Sequence, residues 1–357
     1  MSTTRILLFP ISALYWLITW LRNIFFDIGI LPSKTYATTL ISVGNLKVGG
    51  TGKTPHVEYL LGLLKDRFTI AVLSRGYGRL TKGPIWADAK STSLSIGDEP
   101  YQIFSKFKEV PFLVDGNRRR GIKLIEEKIE GIKAVILDDA FQHRYVTPGL
   151  NILLTEYSDL YINDYIMPSG NLRESKIGAN RADLIVVTKT PEIFSPQERR
   201  IILKEINPKP YQQVFFSFQK YGSFINLKEY DTIQNKISKE YYFSRGYSCV
   251  LVTGIANSSN LFYYLKENLK KVTHLSYKDH HRYAEADVKK IKSTFDNMSA
   301  ENKFIITTEK DAGRLLSENL RDLTLNLPIF FISYETAFHE ADSDLFNEQI
   351  NNYVGRN

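Results

Sequence analysis

A glycine-rich stretch at residues 42–55, SVGNLKVGGTGKTP, constrains the fold of this chain more than any other segment. The apolar run before it, residues 39–43, has strand character, and the residues after it repeat apolar side chains at helical spacing. In such a loop the backbone N–H groups surround a phosphate, and the helix N-terminus that follows favours an anion. The residues expected to contact phosphate are Gly49, Gly50, Thr51, Gly52, Lys53 and Thr54.

Two residues of this loop are expected to contact the nucleotide and its metal ion through their side chains. Lys53 would reach the β- and γ-phosphates of a nucleotide, and the Thr54 hydroxyl would bind Mg²⁺. The spacing is unusual, because Lys47 stands where the standard motif has its first glycine. A plain glycine-rich turn between a strand and a helix is the alternative. We interpret the stretch as a variant P-loop and predict an α/β fold with a P-loop NTPase-type parallel sheet.

A second part of the nucleotide site is predicted where an apolar run at 133–137 ends in Asp138 and Asp139. In P-loop enzymes a carboxylate at the end of such a strand binds Mg²⁺ directly or through water. The sequence does not decide which of the two aspartates contacts the ion. The loops expected near the same edge of the sheet add four polar candidates: Gln142, His143, Arg173 and Glu174.

Two further loops carry candidate side chains. The loop RGYGR at residues 75–79 follows a predicted strand, at the edge where open α/β sheets bind ligands, and it contributes Tyr77 and Arg79. A solvated turn is the alternative there. In the sequence GDEP, Asp98 lies just before a predicted helix. Its carboxylate either caps that helix or acts on a substrate hydroxyl, and the local sequence favours neither.

The order of strand and helix patterns predicts two α/β units. Residues 36–220 alternate predicted strands with short helices and form the nucleotide-binding domain, and a polar linker is expected at 221–245. The pattern restarts at 246–357 as a smaller domain. There His280 belongs to the run DHH, just after a predicted strand, where a site residue and a surface turn are both plausible.

Residues 1–35 form a separate N-terminal region. The run at 6–21 is uncharged, but it falls short of the roughly 20 residues that a spanning helix needs. On a helix the polar side chains of this region fall near one stripe and the apolar side chains on the other side, so we predict a helix in or partly inserted into a membrane interface. The polar stripe is formed by Ser12, Tyr15, Thr19, Arg22 and Asn23. A signal peptide, a membrane-spanning helix and a buried core helix are alternatives. A signal peptide would need a small-residue cleavage site, and the sequence shows none.

Composition excludes a few classes of function. An apolar content of 43% and a charged content of 24% are ordinary for a globular protein, so no large disordered tract is expected. The net charge of +7 suits an anionic partner, such as a nucleotide, a nucleic acid or an acidic membrane surface, without choosing among them. Cys249 is the only cysteine, which excludes an intrachain disulfide and a thiolate metal site.

Together these motifs resemble the tetraacyldisaccharide 4'-kinase family, whose members phosphorylate a membrane-bound acylated glucosamine disaccharide with ATP. The doubled glycines and trailing proline are unusual among P-loops. The matching blocks, in order over residues 41–312, are VGNLKVGGTGKTP, SRGYGR, GDEP, LDDAFQHR, PSGNLRE, TGIAN, DHH and TTEKDA. The resemblance implies two α/β/α domains joined by a strand linker, a site in the cleft between them and an N-terminal membrane-associating helix.

The resemblance also implies roles for single residues. Asp98 matches the catalytic carboxylate, His280 matches the histidine paired with it, and Lys53 completes the catalytic set. The remaining matches are an acidic pair near the metal and an active-site pair: Asp138 with Asp139, and Arg173 with Glu174.

The implied cofactors are ATP and Mg²⁺. The implied reaction transfers the γ-phosphate to the 4'-hydroxyl of a tetraacyl glucosamine disaccharide 1-phosphate in lipid A biosynthesis. The implied location is the cytoplasmic face of the inner membrane, reached through the N-terminal helix, with neither nucleic acid nor an obligate protein as partner. Because the P-loop and His280 belong to different predicted domains, we expect hinge closure to assemble the site.

Two other functions fit parts of the sequence. One is a P-loop ATPase or ligase with a similar variant loop, such as dethiobiotin synthetase, and the N-terminal segment and second domain argue against it. The other is a basic nucleotide-gated switch or nucleic-acid-binding module. A guanine-reading Asn-Lys-x-Asp would favour such a switch, and residues 188–191, TKTP, lack the final Asp.

Overall fold

The computed structural model describes residues 8–230, 236–255 and 258–356. The start of the N-terminal segment, part of the predicted linker and the last two residues of TGIAN lie outside the described residues. The strands are β1 (Thr39–Asn45), β2 (Ile70–Ser74), β3 (Ile85–Trp86), β4 (Phe112–Val114), β5 (Ala134–Asp138), β6 (Leu150–Glu156), β7 (Leu184–Thr188), β8 (Gln213–Asn226), β9 (Lys236–Ile237), β10 (Ser248–Thr253), β11 (Lys271–Ser276), β12 (Lys303–Thr308) and β13 (Ile329–Phe338).

Helices connect most of these strands, as the alternating patterns predict. The α-helices are α1 (Phe9–Asp27), α2 (Lys53–Leu64), α3 (Ser93–Ile96), α4 (Asp98–Lys106), α5 (Arg118–Lys128), α6 (Pro196–Ile206), α7 (Lys239–Ser244), α8 (Ser259–Asn268), α9 (Glu285–Asp296), α10 (Glu309–Leu315), α11 (Arg321–Leu325) and α12 (Glu340–Gly355). Short 3₁₀ turns lie at Tyr161–Asn163, Lys176–Arg181 and Leu227–Glu229.

Across the described residues, thirteen strands form one sheet in the order β11-β10-β12-β13-β8-β7-β6-β1-β5-β2-β4-β3, with β9 paired to β8. The pairs β3–β4, β8–β9 and β8–β13 are antiparallel, and the other pairs are parallel. The predicted α/β fold with a large, mostly parallel sheet is therefore confirmed. We call β1–β7 the N-terminal half of the sheet and β10–β12 the C-terminal half.

An antiparallel ribbon of β8 and β13 joins the two halves. Residues 213–216 of β8 pair with β7, and residues 217–226 pair with β13. The early residues of β13 pair in turn with β12. The strand predicted at 214–218 thus continues to Asn226, into the region that the sequence assigned to the linker. The division of the chain into domains stays a prediction.

Each half of the sheet has a core on both faces. On β1 the side chains of Leu40 and Ile41 point to opposite faces, because strand residues alternate. Helices α2, α4 and α12 cover the Ile41 face, and α5 and α6 cover the other. Helices α9 and α10 cover one face of the C-terminal half, and α7 and α8 the other. The last helix, α12, therefore packs on the N-terminal half although it follows the C-terminal half in sequence.

Helix α1 is the predicted N-terminal helix, and it begins where Pro10 occupies the first turn, a position that suits proline. One face of α1 lies against the N-terminal half, and many of its large apolar side chains are exposed. The most exposed of these are Ile11, Leu14 and Ile18, and Ile28 and Ile30, just after the helix, are exposed as well. Within the described part of the chain, no helix combines the length and the apolar character needed to cross a bilayer. The predicted membrane role of α1 stays a prediction.

Candidate functional site

The glycine-rich loop leads from the end of β1 into α2. Gly49 has φ +114° and Gly52 has φ +87°, a left-handed backbone that glycine adopts at little cost. Thr188, at the end of β7, donates from its hydroxyl to the Thr51 carbonyl (2.9 Å) and holds the loop from one side. The His56 ring lies 2.7 Å from the Gly52 carbonyl and holds it from the other. The strand–loop–helix arrangement predicted from the sequence is therefore present.

The lysine of this loop lies between an amide and a carboxylate. Lys53 Nζ is 3.3 Å from Asn45 Oδ1 and 3.7 Å from Asp139 Oδ1. Asn45 in turn donates from Nδ2 to Thr51 Oγ1 (2.9 Å). Asn45 thus orients both the lysine and the loop. The sequence did not indicate this role, although Asn45 belongs to the block VGNLKVGGTGKTP.

The two predicted metal-proximal aspartates are adjacent to the loop because β5 pairs with β1, with Asp138 opposite Val43. Ser74, at the end of β2, donates to Asp138 Oδ2 (2.7 Å). Burial, followed by the negative charge of Asp139, raises the pKa of Asp138 to about 6. Burial also opposes ionisation of Asp139, but Lys53, Arg173 and Arg118 together outweigh burial, and the pKa of Asp139 is lowered. Of the two carboxylates, Asp139 is therefore the one whose negative charge is balanced by neighbouring cations.

Oxygen donors of this kind suit Mg²⁺, which usually keeps several waters and takes one or two carboxylates together with substrate phosphates. The hydroxyl of Thr54 and the carboxylates of Asp138 and Asp139 provide such donors. Among the residues described here, no three His, Cys, Asp or Glu side chains could hold a metal ion on their own. The donor set therefore fits Mg²⁺ bound jointly with a nucleotide better than a metal held by protein alone.

The predicted active-site pair joins this network. Arg173 Nη1 lies 3.1 and 3.3 Å from the two Asp139 carboxylate oxygens and 3.2 Å from Gln142 Oε1. Gln142 donates from Nε2 to the Asn45 carbonyl (2.7 Å) and to Glu174 Oε1 (3.2 Å). Three sequence candidates from two loops, Gln142, Arg173 and Glu174, are thus brought together beside Asp139.

The other loop candidates lie apart from these contacts. Burial, and next the charge of Arg118, lowers the pKa of His143 to about 4, so its imidazole is neutral at physiological pH. Tyr77 is exposed on the loop after β2. Arg79 donates to the carbonyls of Val114 (3.4 Å) and Gly83 (2.7 Å), so its guanidinium stabilises the loop itself. A substrate role for these three side chains stays a prediction.

A second polar cluster joins the two halves of the sheet. Asp98, in the first turn of α4, accepts on Oδ2 from Arg314 Nη2 (2.7 Å) and Nε (3.1 Å), and His280 Nδ1 lies 3.2 Å from the same oxygen. His280 has φ +56°, an uncommon value for a residue other than glycine. Burial tends to raise the pKa of Asp98, but Arg314 first and His280 next outweigh burial, so that pKa is lowered.

Arg314 is a site residue that the sequence analysis missed. It lies on α10, five residues after the start of the helix, and the buried Asp311 accepts from its Nη1 (3.0 Å). Asp311 Oδ2 also accepts from the Thr308 hydroxyl and the Gly254 amide (both 2.8 Å), which fixes its position. The block TTEKDA marked the start of this helix, but only the fold shows that the arginine after it reaches Asp98.

The second histidine of the DHH run has a local role. His281 Nε2 lies 3.0 Å from Asp287 Oδ2, and Asp287 also accepts from the Ala284 amide at the N-terminus of α9 (2.9 Å). The two adjacent histidines therefore diverge, with His280 toward Asp98 and His281 toward α9.

Comparison with known proteins finds relatives along nearly the whole chain. The family model described as tetraacyldisaccharide-1-P 4'-kinase matches residues 4–354. A tetraacyldisaccharide 4'-kinase of Bacteroides thetaiotaomicron is 44% identical, over 98% of this chain and 93% of its own length. A protein of the same name from Flavobacterium johnsoniae is 41% identical, over 95% of this chain and 96% of its own.

A solved structure agrees with these sequence matches. LpxK from Aquifex aeolicus, whose crystal structure is of an "apo" form in complex with ATP, is 27% identical to this chain. It has a TM-score of 0.75, over 99% of this chain and 100% of that one.

Proposed function

The chain belongs to the tetraacyldisaccharide-1-P 4'-kinase family, and on that premise we propose how its residues carry out the reaction. It is an ATP-dependent kinase that transfers a phosphate to the 4'-hydroxyl of a tetraacyl glucosamine disaccharide 1-phosphate, in lipid A biosynthesis. The function implied by the resemblance is thereby confirmed. The assignment of single residues is our proposal.

The observation that carries this proposal is the loop after β1, with left-handed Gly49 and Gly52 and with Lys53 at the start of α2. Backbone amides at a helix N-terminus bind the phosphates of ATP, and Lys53 neutralises their charge. Phosphoryl transfer passes through a loose transition state, so positioning and electrostatic stabilisation supply most of the rate. Mg²⁺, held by Thr54 and by Asp138 or Asp139, would neutralise further charge on the β- and γ-phosphate oxygens when bound.

Asp98 is the proposed general base. Arg314 and His280 both contact Oδ2, so Oδ1 is the oxygen that accepts the proton of the 4'-hydroxyl. A positioned base of this kind contributes about 10²–10⁴-fold to the rate. The lowered pKa keeps the carboxylate ionised at neutral pH, while His280 orients it from the other half of the sheet.

Closure of the two halves is proposed to assemble this base. Three ion pairs bridge α4 and α10: Asp98 with Arg314 (2.7 Å), Glu99 with Lys310 (2.6 Å), and Lys106 with Glu309 (2.6 Å). The ribbon of β8 and β13 connects the halves and can act as the hinge. Small-angle scattering with and without nucleotide plus acceptor tests the idea, and identical profiles would count against it.

Helix α1 is proposed to bring the enzyme to its lipid acceptor at the cytoplasmic face of the inner membrane. Its exposed apolar side chains, with Trp16 and Trp20 stacked at 5.7 Å between ring centroids, suit the headgroup region. This supports a peripheral or monotopic attachment.

The transfer of radiolabelled γ-phosphate to the acylated disaccharide 1-phosphate in detergent micelles tests the residue assignment as a whole. We expect labelled lipid with the wild type and little with Lys53→Ala or Asp98→Ala. Unchanged labelling by both variants would overturn the assignment.

A further inference from the structure

The polar face of α1 contacts the same loop that carries the active-site pair. Tyr15 donates from its hydroxyl to the Arg173 carbonyl (3.0 Å). Asn23 donates from Nδ2 to Glu174 Oε2 (2.8 Å). Positions eight residues apart lie on one face of a helix, so a single surface of α1 holds both members of the pair.

Further contacts extend along this face. The Ser12 hydroxyl donates to Ser169 Oγ (2.8 Å) and accepts from the Ser169 amide (2.9 Å), with both side chains buried. Arg22 donates from Nη2 to the Gln142 carbonyl (2.9 Å). Helix α1 is therefore docked through specific polar contacts rather than lying loosely on the surface.

The contact made by Asn23 satisfies the second oxygen of a buried carboxylate, Glu174. Glu174 is only 3% exposed, and its Oε1 accepts from Arg181 Nη2 (2.8 Å) and Gln142 Nε2 (3.2 Å). Asn23 supplies the donor to the other oxygen. Removing one partner of a buried carboxylate leaves an unsatisfied charged group, which costs more than the loss of a surface hydrogen bond. The orientation of Glu174 therefore depends on α1.

The residues that contact α1 are connected to the phosphate-binding loop by further hydrogen bonds. Arg173 contacts Asp139, and Gln142 lies between Arg173 and the Asn45 carbonyl. Asn45 accepts from Lys53. Three or four successive contacts thus connect the helix to the lysine that binds phosphate, and the low dielectric of a partly buried network strengthens each of them.

We propose that α1 is a positioning element of the active site: Asn23 and Tyr15 hold Glu174 and Arg173, and through them Asp139, in the arrangement needed for phosphoryl transfer. The proposal rests on the kinase function given above. The exposed apolar side chains of Leu14, Leu17 and Leu21 lie on the opposite face of the helix. Attachment to the membrane and support of the site therefore use different faces and can be separated by mutation.

The test uses full-length protein with the acylated disaccharide 1-phosphate in detergent micelles, where every variant meets the acceptor in the same form. Asn23→Ala is expected to lower kcat about tenfold or more, with the KM for ATP within about threefold, because a hydrogen bond to a buried charge is lost. Thr19→Ala is the matched control. Thr19 lies between Tyr15 and Asn23 in sequence, and within the described residues its hydroxyl bonds only to carbonyls of its own helix. Its kcat should equal that of the wild type.

Two additional measurements separate positioning from folding and from membrane attachment. Tyr15→Phe removes one hydroxyl and keeps the ring, and it should lower kcat about two- to fivefold, as expected for one neutral hydrogen bond. Asn23→Ala should sediment with anionic phospholipid vesicles as the wild type does. Kinetics of Asn23→Ala and Tyr15→Phe equal to those of Thr19→Ala would overturn the proposal, and so would a loss of vesicle binding that accounts for the whole defect. An inactive wild type would instead overturn the proposed function.

Discussion

Arg314 donates two hydrogen bonds, of 2.7 and 3.1 Å, to a single oxygen of Asp98, across 216 positions of sequence. The contact joins the first turn of α4 to α10, and the other carboxylate oxygen is the one proposed to accept the proton of the substrate hydroxyl. It also lowers the pKa of Asp98 against the opposing effect of burial. A cation from the other half of the sheet therefore both positions the proposed base and lowers its pKa.

The first prediction concerns pH. A base works only when it is ionised, so activity falls as the pH drops through the pKa of Asp98. Arg314→Gln removes the cation that lowers this pKa, and the acid limb of the kcat/KM profile should move to higher pH. The expected shift is about one to two pH units, because a hydrogen bond to a charged group is worth about 1.5–3 kcal/mol and one pKa unit corresponds to about 1.4 kcal/mol.

Two further variants provide comparisons for this pH profile. Arg314→Lys keeps the charge but loses the two-point contact, and it should give an intermediate shift. Lys310→Gln breaks the neighbouring ion pair with Glu99, which bridges the same two helices, and should move the acid limb less. Equal profiles for Arg314→Gln and the wild type would show that Arg314 does not tune the base.

The second prediction concerns Asp98 itself. Asp98→Asn keeps the size of the side chain and removes its basicity, so kcat should fall about 10²–10⁴-fold. Binding of a fluorescent ATP analogue should be retained, because the phosphate-binding loop belongs to another segment. Near-normal turnover would exclude Asp98 as the base.

The third prediction concerns the metal. Ser74 donates to Asp138 Oδ2 (2.7 Å), and partners of this kind usually orient a metal-binding carboxylate. Ser74→Ala should raise the Mg²⁺ concentration needed for half-maximal turnover about 10–100-fold. Ser105→Ala removes another buried hydroxyl, which bonds to the Gln102 carbonyl, and serves as the control. An unchanged Mg²⁺ requirement would argue against Asp138 at the metal.

Local patterns in the sequence were sufficient to predict much of the fold. The apolar run before the glycine loop became β1, and the run ending in Asp138 became β5, because a buried parallel strand needs a continuous apolar segment. The end of β8 could not be predicted this way. Residues 219–226, QKYGSFIN, have the composition of a linker, and they are extended because β13 pairs with them.

The strand–loop–helix arrangement at the glycine loop was predictable because one motif contains all its parts. The glycines and Lys53 are contiguous, so their spacing alone indicates a phosphate loop. Arg314 was missed, because its partner Asp98 is brought to it only by the packing of two distant helices. Asn23 was placed on a polar stripe, but its contact with Glu174 depends on which surface the helix docks against.

The fourth prediction concerns the exposed face of α1. Leu14 and Ile18 are 59% and 58% exposed. Replacing both with serine should weaken binding to anionic phospholipid vesicles about tenfold or more, because burial of one such side chain is worth about 1.5–3 kcal/mol. Leu345→Ser, at a 60% exposed position on α12, is the control and should sediment normally. Undiminished vesicle binding by the double variant would mean that another surface attaches the protein.

The most direct test of the central claim is the position of the new phosphate. Purified protein, incubated with ATP, Mg²⁺ and the tetraacyl glucosamine disaccharide 1-phosphate in detergent, should yield a bisphosphorylated lipid. Its new phosphorus should correlate with the proton at carbon 4' in a ³¹P–¹H NMR spectrum. Release of ADP and inorganic phosphate without phosphorylated lipid, or a phosphate at any other position, would contradict the account.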